Sequence, residues 1–325
     1  MRPKAAYASP LSEILDLLAC PVCRQPLALP EGEPRLECAS CGRDYPFHLE
    51  IPILLPSEGA STHKARQVEF FDQDPADDFG VTRPRGAPEL YGWLLHEKFR
   101  RSVIGLEHLL PGATALTICG GSGVDAEFLA RAGARVILSD ISLGVVLQAR
   151  ERAKRYGLDI TLVVADAEAL PFRDASVDVV YVHDGLHHLE RPALGLAEMA
   201  RVARRAVSVS EPAHAAATAA AVRLGLAEDE EEAGNRVRRL TLDEISRELS
   251  RRGFRPIRPH RYAMYYRHWP GKTMRVLSTR PMLPLAQAGL NVLNRVAGRF
   301  GNKLTVQAVR ADTRKRPDGR RGLEA

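Results

Sequence analysis

A short apolar run at 113–118 leads without a break into Cys119-Gly120-Gly121-Ser122-Gly123, and residues 124–132 then carry helix-forming side chains with one apolar face. A glycine-rich turn between strand and helix lets the backbone approach a ligand closely and aims amides at it. This arrangement constrains the chain to the α/β class, with a parallel sheet built from strand-helix units. A second strand at 135–138 ends in Ser139-Asp140-Ile141-Ser142. Asp140 lies 17 residues after Gly123, where a carboxylate can accept both hydroxyls of a ribose. Gly121-Ser-Gly123-Val-Asp-Ala126 also satisfies G-x-G-x-x-A, so the glycines alone do not separate a dinucleotide from another adenosine-bearing cofactor.

The downstream order does separate them. Residues 161–165 read as strand three and end in Asp166-Ala167-Glu168-Ala169-Leu170-Pro171-Phe172. Residues 176–182 form strand four and run into His183-Asp184-Gly185-Leu186-His187-His188-Leu189. Residues 206–210 make strand five, closed by Glu211-Pro212. This ordered series resembles the class I S-adenosylmethionine-dependent methyltransferases, especially their small-molecule group, over 113–310. The resemblance implies a Rossmann-like, seven-stranded, doubly wound sheet whose last strand, at 304–310, is antiparallel. It also implies that Gly120, Gly121 and Gly123 cradle the methionine end of the cofactor. Asp140 would hold the ribose, Ile141 would pack on adenine, and Asp166 with the Ala167 backbone would receive the adenine amine. His183 would line the cofactor. Two positions depart from the family pattern: Thr117 stands where an acid is usual, and Cys119 where a glycine is.

Four of the five cysteines form two pairs, Cys20-Pro-Val-Cys23 and Cys38-Ala-Ser-Cys41. A C-x2-C turn points two thiolates at one metal, and four soft ligands suit a closed, structural zinc site. Leu17-Leu18-Ala19 before the first pair, Gly42-Arg43-Asp44-Tyr45-Pro46 after the second and a closing apolar strand at 51–56 resemble the zinc-ribbon family typified by the activator subunit of tRNA and release-factor methyltransferases. A ribbon this small cannot bury a sufficient core, so metal binding supplies much of its folding energy.

The expected organisation is a zinc ribbon over 1–56, a linker and covering helix over 57–112, and the methyltransferase domain over 113–310. An insert at 267–302 and a disordered basic tail at 311–325 complete it. Residues 1–10 lack the apolar core of a signal peptide, and no run of 18 apolar residues occurs, so no transmembrane segment is expected; the cytoplasm is the expected compartment. From Gly234 onward there are 22 Lys/Arg against 6 Asp/Glu, although the whole chain carries only +6. Such a region suits nucleic acid, an anionic lipid surface or an acidic substrate.

Methyl transfer from a sulfonium is an in-line displacement, so orientation supplies most of the rate. A base is needed only where the nucleophile must lose a proton. Asp184, His187 and His188, on the segment leaving strand four, are the catalytic candidates. The absence of Pro-Cys and of Asn/Asp-Pro-Pro-aromatic motifs disfavours pyrimidine C5 and planar exocyclic amine acceptors. A hydroxyl, carbon or amine of a small-molecule or lipid-like acceptor is expected. An RNA acceptor gripped by the ribbon and the basic C-terminal third is an alternative, as is a non-catalytic partner of another methyltransferase. Strand six is expected over 258–266. In the insert after it, Ala286, Leu290, Leu293, Ala297 and Phe300 mark one helix face, suiting an acceptor-site lid or a membrane-surface helix.

Overall fold

The computed structural model describes residues 9–56, 61–72, 78–213 and 240–311. Its strands in chain order are β1 (Arg35–Cys38), β2 (Arg43–His48), β3 (Ile51–Leu54), β4 (Thr114–Thr117), β5 (Arg135–Asp140), β6 (Ile160–Ala165), β7 (Val177–His183), β8 (Ala203–Pro212), β9 (Phe254–Pro256), β10 (His260–Tyr262) and β11 (Lys303–Arg310). They join in one sheet, ordered β1-β2-β3-β6-β5-β4-β7-β8-β11-β10, with β9 also on β11. From β6 to β8 the strands are parallel, and β11 is antiparallel to β8. With β9 and β10 counted as one interrupted sixth strand, this is the Rossmann-like methyltransferase sheet. Its strand order reverses between β4 and β7, and ligands bind at the carboxyl edge of such a switch point. β4 and β7 are buried along their whole length, as apolar central strands covered on both faces must be.

The ribbon is not detached from this sheet. β3 pairs antiparallel with β2 and then parallel with β6, Ile53 opposite Val164 and Leu54 opposite Ala165. Leu18 and Leu36 of the ribbon are buried in the same apolar cluster as Phe172 and Val180 of the sheet domain. The Ala19 amide donates to the Pro171 carbonyl at 3.0 Å and the Arg173 amide to the Leu17 carbonyl at 2.8 Å. The ribbon's shortage of core is thus met by the sheet's.

Three local expectations change. The strand expected over 258–266 is only His260–Tyr262, with β9 (Phe254–Pro256) a separate piece before it, because Pro256 and Pro259 lack the N–H a ladder needs. Beyond Tyr262 the backbone leaves the sheet, and two asparagine side chains pair it instead. Asn294 Oδ1 accepts from the Ala263 amide at 2.7 Å and Asn302 Oδ1 from the Met264 amide at 3.0 Å. The region expected as linker carries helices Thr62–Asp72 and Asp78–Thr82 ahead of the covering helix Glu89–Ser102. In the insert helix Met282–Ala297, Ala286 and Leu290 pack inward, but Leu293 and, beyond the helix, Phe300 face out at 47% and 65% exposure. The face that the spacing marks is covered at Ala286 and Leu290 and open at Leu293. The tail expected to be disordered lies, from 312 on, outside the described residues.

Candidate active site

A cavity of about 700 Å³ opens at the carboxyl edge of the sheet, and its walls hold the glycine turn, Asp140, Asp166 and His183. The turn is shaped by close approach. A Cβ at Gly120 would lie 2.6 Å from Leu138 Cγ, and Gly123, at φ +83°, begins helix Val124–Arg131 where a Cβ would lie 3.2 Å from Ala149 Cβ. The Gly121 amide donates to Asp140 Oδ2 at 3.0 Å and the Ser142 amide to Oδ1 at 3.1 Å. Turn and carboxylate are thereby locked together before any ligand enters. Burial raises the Asp140 pKa against the lowering effect of those amides. Ile141 lies beside it on the wall.

At the end of β6, Asp166 Oδ1 accepts from the Glu168 amide at 2.9 Å and Oδ2 from Lys64 Nζ at 2.6 Å; Ala167 is buried next to it. Burial opposes the charge on Lys64, but Asp166 and Glu168 prevail and raise its pKa. The Thr62–Asp72 helix has two further anchors. His63 Nε2 lies 2.7 Å from the His188 carbonyl, and Asp72 Oδ1 accepts from the Ser142 hydroxyl at 2.5 Å and the Gly144 amide at 2.8 Å. No motif marked Lys64, His63 or Asp72, because their partners lie at least 70 residues away in sequence.

At the end of β7, burial first and then the Lys98 charge depress the His183 imidazole to about 3, so it is neutral at physiological pH. Its Nδ1 lies 3.3 Å from the Tyr181 hydroxyl, and its buried Nε2 has no hydrogen-bond partner among the described residues. Lys98 itself is held protonated; burial opposes this, but Asp125 at 3.7 Å dominates. Asp184, at φ +50°, accepts from Lys303 Nζ at 2.7 Å through both oxygens. Burial opposes its ionisation, yet Lys303 holds it well below the usual carboxylate range.

The two following histidines are employed differently. His187 is buried, with Nδ1 2.6 Å from Glu211 Oε2, while the amides of Gly185, Leu186 and His187 all donate to the same carboxylate. Glu211 thus ties the exit of β7 to the end of β8. His188 sets its ring edge-on to Phe71 of the Thr62–Asp72 helix, centroids 5.6 Å apart. Cys119 packs where a Cβ on Gly185 would come 2.5 Å from its own, and burial pushes its thiol pKa well above the ordinary value. It is a packed side chain rather than an ionised nucleophile.

The four paired cysteines converge at the far end of the ribbon, their sulfurs all within 4.8 Å of one another. Cys20 and Cys41 Sγ are 3.6 Å apart and Cys23 and Cys38 Sγ 3.4 Å, too long for disulfides. A tetrahedron with metal–sulfur bonds of about 2.3 Å has edges of about 3.8 Å, so the donor set fits zinc. Burial works against a Cys20 thiolate, but the Tyr45 hydroxyl at 3.0 Å and backbone amides lower its pKa to about 6.

Residues 116–209 match the family model described as a methyltransferase domain, and residues 12–46 match that of Trm112p-like proteins. The chain carries a methyltransferase domain fused to a Trm112p-like zinc ribbon. Among curated proteins, it is 37% identical over 107 residues to the demethylmenaquinone methyltransferase of Renibacterium salmoninarum, covering 33% of this chain and 44% of that one. It is 40% identical over 111 residues to the ubiquinone/menaquinone biosynthesis C-methyltransferase UbiE of Bordetella avium, covering 33% and 43%. The chain therefore spans less than half the length of these relatives. Among solved structures, magnesium protoporphyrin IX methyltransferase from Synechocystis PCC 6803 with bound SAH aligns at a TM-score of 0.53 and 20% identity, over 76% of this chain and 100% of that one. That likeness bears on the fold, which is the S-adenosylmethionine-binding methyltransferase fold.

Proposed function

We propose that this chain transfers the methyl group of S-adenosylmethionine to a ring carbon of a small, quinol-like acceptor. The observation that carries this reading is the neutral, unpartnered His183 Nε2 in the wall of a cavity that also holds the glycine turn and Asp140. The identity to quinone C-methyltransferases over about a hundred residues supports the acceptor class. S-adenosylmethionine supplies an electrophilic methyl group and a positive charge. The amides of the 120–123 turn and Asp140 would hold its amino-acid and ribose parts, with Ile141, Asp166 and Ala167 around the adenine. Asp125, on the same wall two residues past Gly123, supplies the carboxylate that Thr117 lacks.

A quinol carbon becomes nucleophilic as its hydroxyl loses a proton. His183 Nε2 is the group placed to accept a hydrogen bond from that hydroxyl and so polarise it. On methylation the ring hydrogen at that carbon would leave as a proton, so that the ring regains its aromaticity and the hydroxyl ends with its own. His187 and Asp184 act as positioning residues, since Glu211 holds the Nδ1 of His187 and Lys303 both oxygens of Asp184. His188 shapes the wall beneath the Thr62–Asp72 helix.

The experiment is a calorimetric titration with S-adenosylmethionine, followed by transfer of labelled methyl to a water-soluble naphthohydroquinone. Binding, and label on a ring carbon that is lost in His183→Asn, are expected. Absence of S-adenosylmethionine binding would sink the whole reading, whereas label on oxygen or in RNA would sink the acceptor assignment alone.

A further inference from the structure

Of the eleven large apolar side chains exposed among the described residues, nine lie between Tyr265 and Phe300. The concentration is sharpest on the Met282–Ala297 helix. Its inner stripe, Leu283, Ala286 and Leu290, packs on Leu90, Leu94, Tyr262 and Met264. Its outer stripe of Leu285, Val292 and Val296 is 65%, 59% and 75% exposed, with only Ala288 and Gly289 between them. A water-facing helix surface ordinarily carries charge at these positions. Here the solvent face is as apolar as the buried one.

Along this stretch of chain the charge has a single sign. Between Phe254 and Ala311 the chain contains eleven Lys/Arg and no Asp or Glu. Arg267, Lys272, Arg275, Arg280, Arg295 and Arg299 are all exposed, and none is in an ion pair among the described residues. An aliphatic stripe bordered by cations is the pattern of a helix lying in the plane of a bilayer surface. Acyl chains ask only for apolar area, and anionic headgroups only for cations. A second copy of the chain meets the surface less well, because a two-fold contact would set these cations against their own kind.

We propose that the outer face of the Met282–Ala297 helix, with its flanking arginines, docks this protein on an anionic phospholipid surface. Through its inner stripe the helix packs in the same cluster as Met264 and Tyr266. Tyr265 and Tyr266, just before the insert, border a smaller hollow of about 260 Å³ that shares Asp184, Tyr266 and Lys303 with the larger one. Docking would set the hollow lined by Tyr265 and Tyr266 near the lipid boundary. This goes beyond the methyl-transfer reading and does not depend on it, since the stripe and its charges stand apart from the cofactor-binding edge.

The test is co-sedimentation of the full chain with phosphatidylcholine vesicles and with equimolar phosphatidylcholine/phosphatidylglycerol vesicles. The protein should pellet with the anionic vesicles, pellet weakly with the neutral ones, and be released progressively by salt. Leu285→Ser, Val292→Ser and Val296→Ser together should lower partitioning by at least about tenfold. Arg295→Gln with Arg299→Gln should lower it on anionic vesicles only. Unchanged S-adenosylmethionine titration and circular dichroism in these variants would show that the fold is intact and keep the two readings separate. Failure of the full chain to bind anionic vesicles, or full binding by the triple serine variant, overturns the proposal. So does self-association without vesicle binding that the triple variant abolishes, which would assign the stripe to a second copy. Vesicle binding that emerges only after deletion of residues 214–239 would assign the stripe to that segment, which contains a run of five acids.

Discussion

The ammonium of Lys64 lies 2.6 Å from Asp166 and 3.1 Å from Glu168, fastening the Thr62–Asp72 helix over the cavity from a point more than a hundred residues away in sequence. Asp166 is also the carboxylate proposed to meet the adenine, so one side chain links cover and ligand.

Lys64→Met should therefore loosen the cover. A charged hydrogen bond contributes about 1.5–3 kcal/mol, so release of S-adenosylmethionine should quicken by roughly tenfold or more, with faster amide exchange along the helix. Stopped-flow displacement reads the first and hydrogen-exchange mass spectrometry the second. A release rate equal to that of the parent protein would mean that Lys64 does not hold the site shut.

Asp140→Ala should weaken S-adenosylmethionine binding by about 1.5–3 kcal/mol, the range for a lost bond to a charged group, and it removes the acceptor that fixes the Gly121 amide. Calorimetry should show this, with NADH failing to compete in either protein. Tight NADH binding would point to a dinucleotide enzyme instead.

The sheet strands and the glycine turn were legible in the sequence because each is a local pattern: an apolar run, a breaker, a carboxylate at a strand end. The four cysteines were legible for the same reason, since metal geometry is written in their spacing. What spacing could not carry was the pairing of side chains across the fold. Glu211 was visible as the end of a strand, but not as the anchor of His187. Lys64 sat in a polar stretch with every mark of a linker. Leu293 shares the helical period of Ala286 and Leu290 yet is 47% exposed, because the period gives no sign of how far along the helix the packed layer reaches.

Glu127 receives Arg85, Arg131 and the fully buried Arg152. Burial opposes its charge, but these guanidinium groups hold its pKa at about 2. Its stabilising contribution is complete above the ordinary carboxylate value and is lost as pH falls towards 2. Glu127→Gln strands Arg152 without its counter-ion, which costs about 3–5 kcal/mol. Urea unfolding at neutral pH should show that loss, and a midpoint shift too small to resolve would contradict it.

One zinc per chain is expected, held by Cys20, Cys23, Cys38 and Cys41, and Cys38→Ser should lose it. Because β3 is hydrogen-bonded to β6, chelation should also lower the melting temperature of the methyltransferase sheet, in a single shifted transition. Elemental analysis and calorimetry test both parts. Two independent transitions after chelation would show that ribbon and sheet are uncoupled.

His183 offers a test that needs no acceptor. Its pKa falls from the ordinary 6.5 to about 3 on folding, with burial the main cause. Between those two values the unfolded chain holds a proton that the folded site refuses, so the unfolded state gains as pH drops. The contribution is fully present above 6.5 and declines through that window, by up to about 1.4 kcal/mol for each pH unit. His183→Gln keeps a polar side chain in the cavity wall but cannot titrate. The parent protein should therefore lose more stability than the variant between pH 7 and pH 5, measured as the difference in urea midpoints. Equal losses would mean that the imidazole takes up its proton as readily folded as unfolded. Burial would then not be holding His183 neutral below its ordinary value, and Nε2 would not be the unprotonated acceptor of the acceptor's hydroxyl in acid.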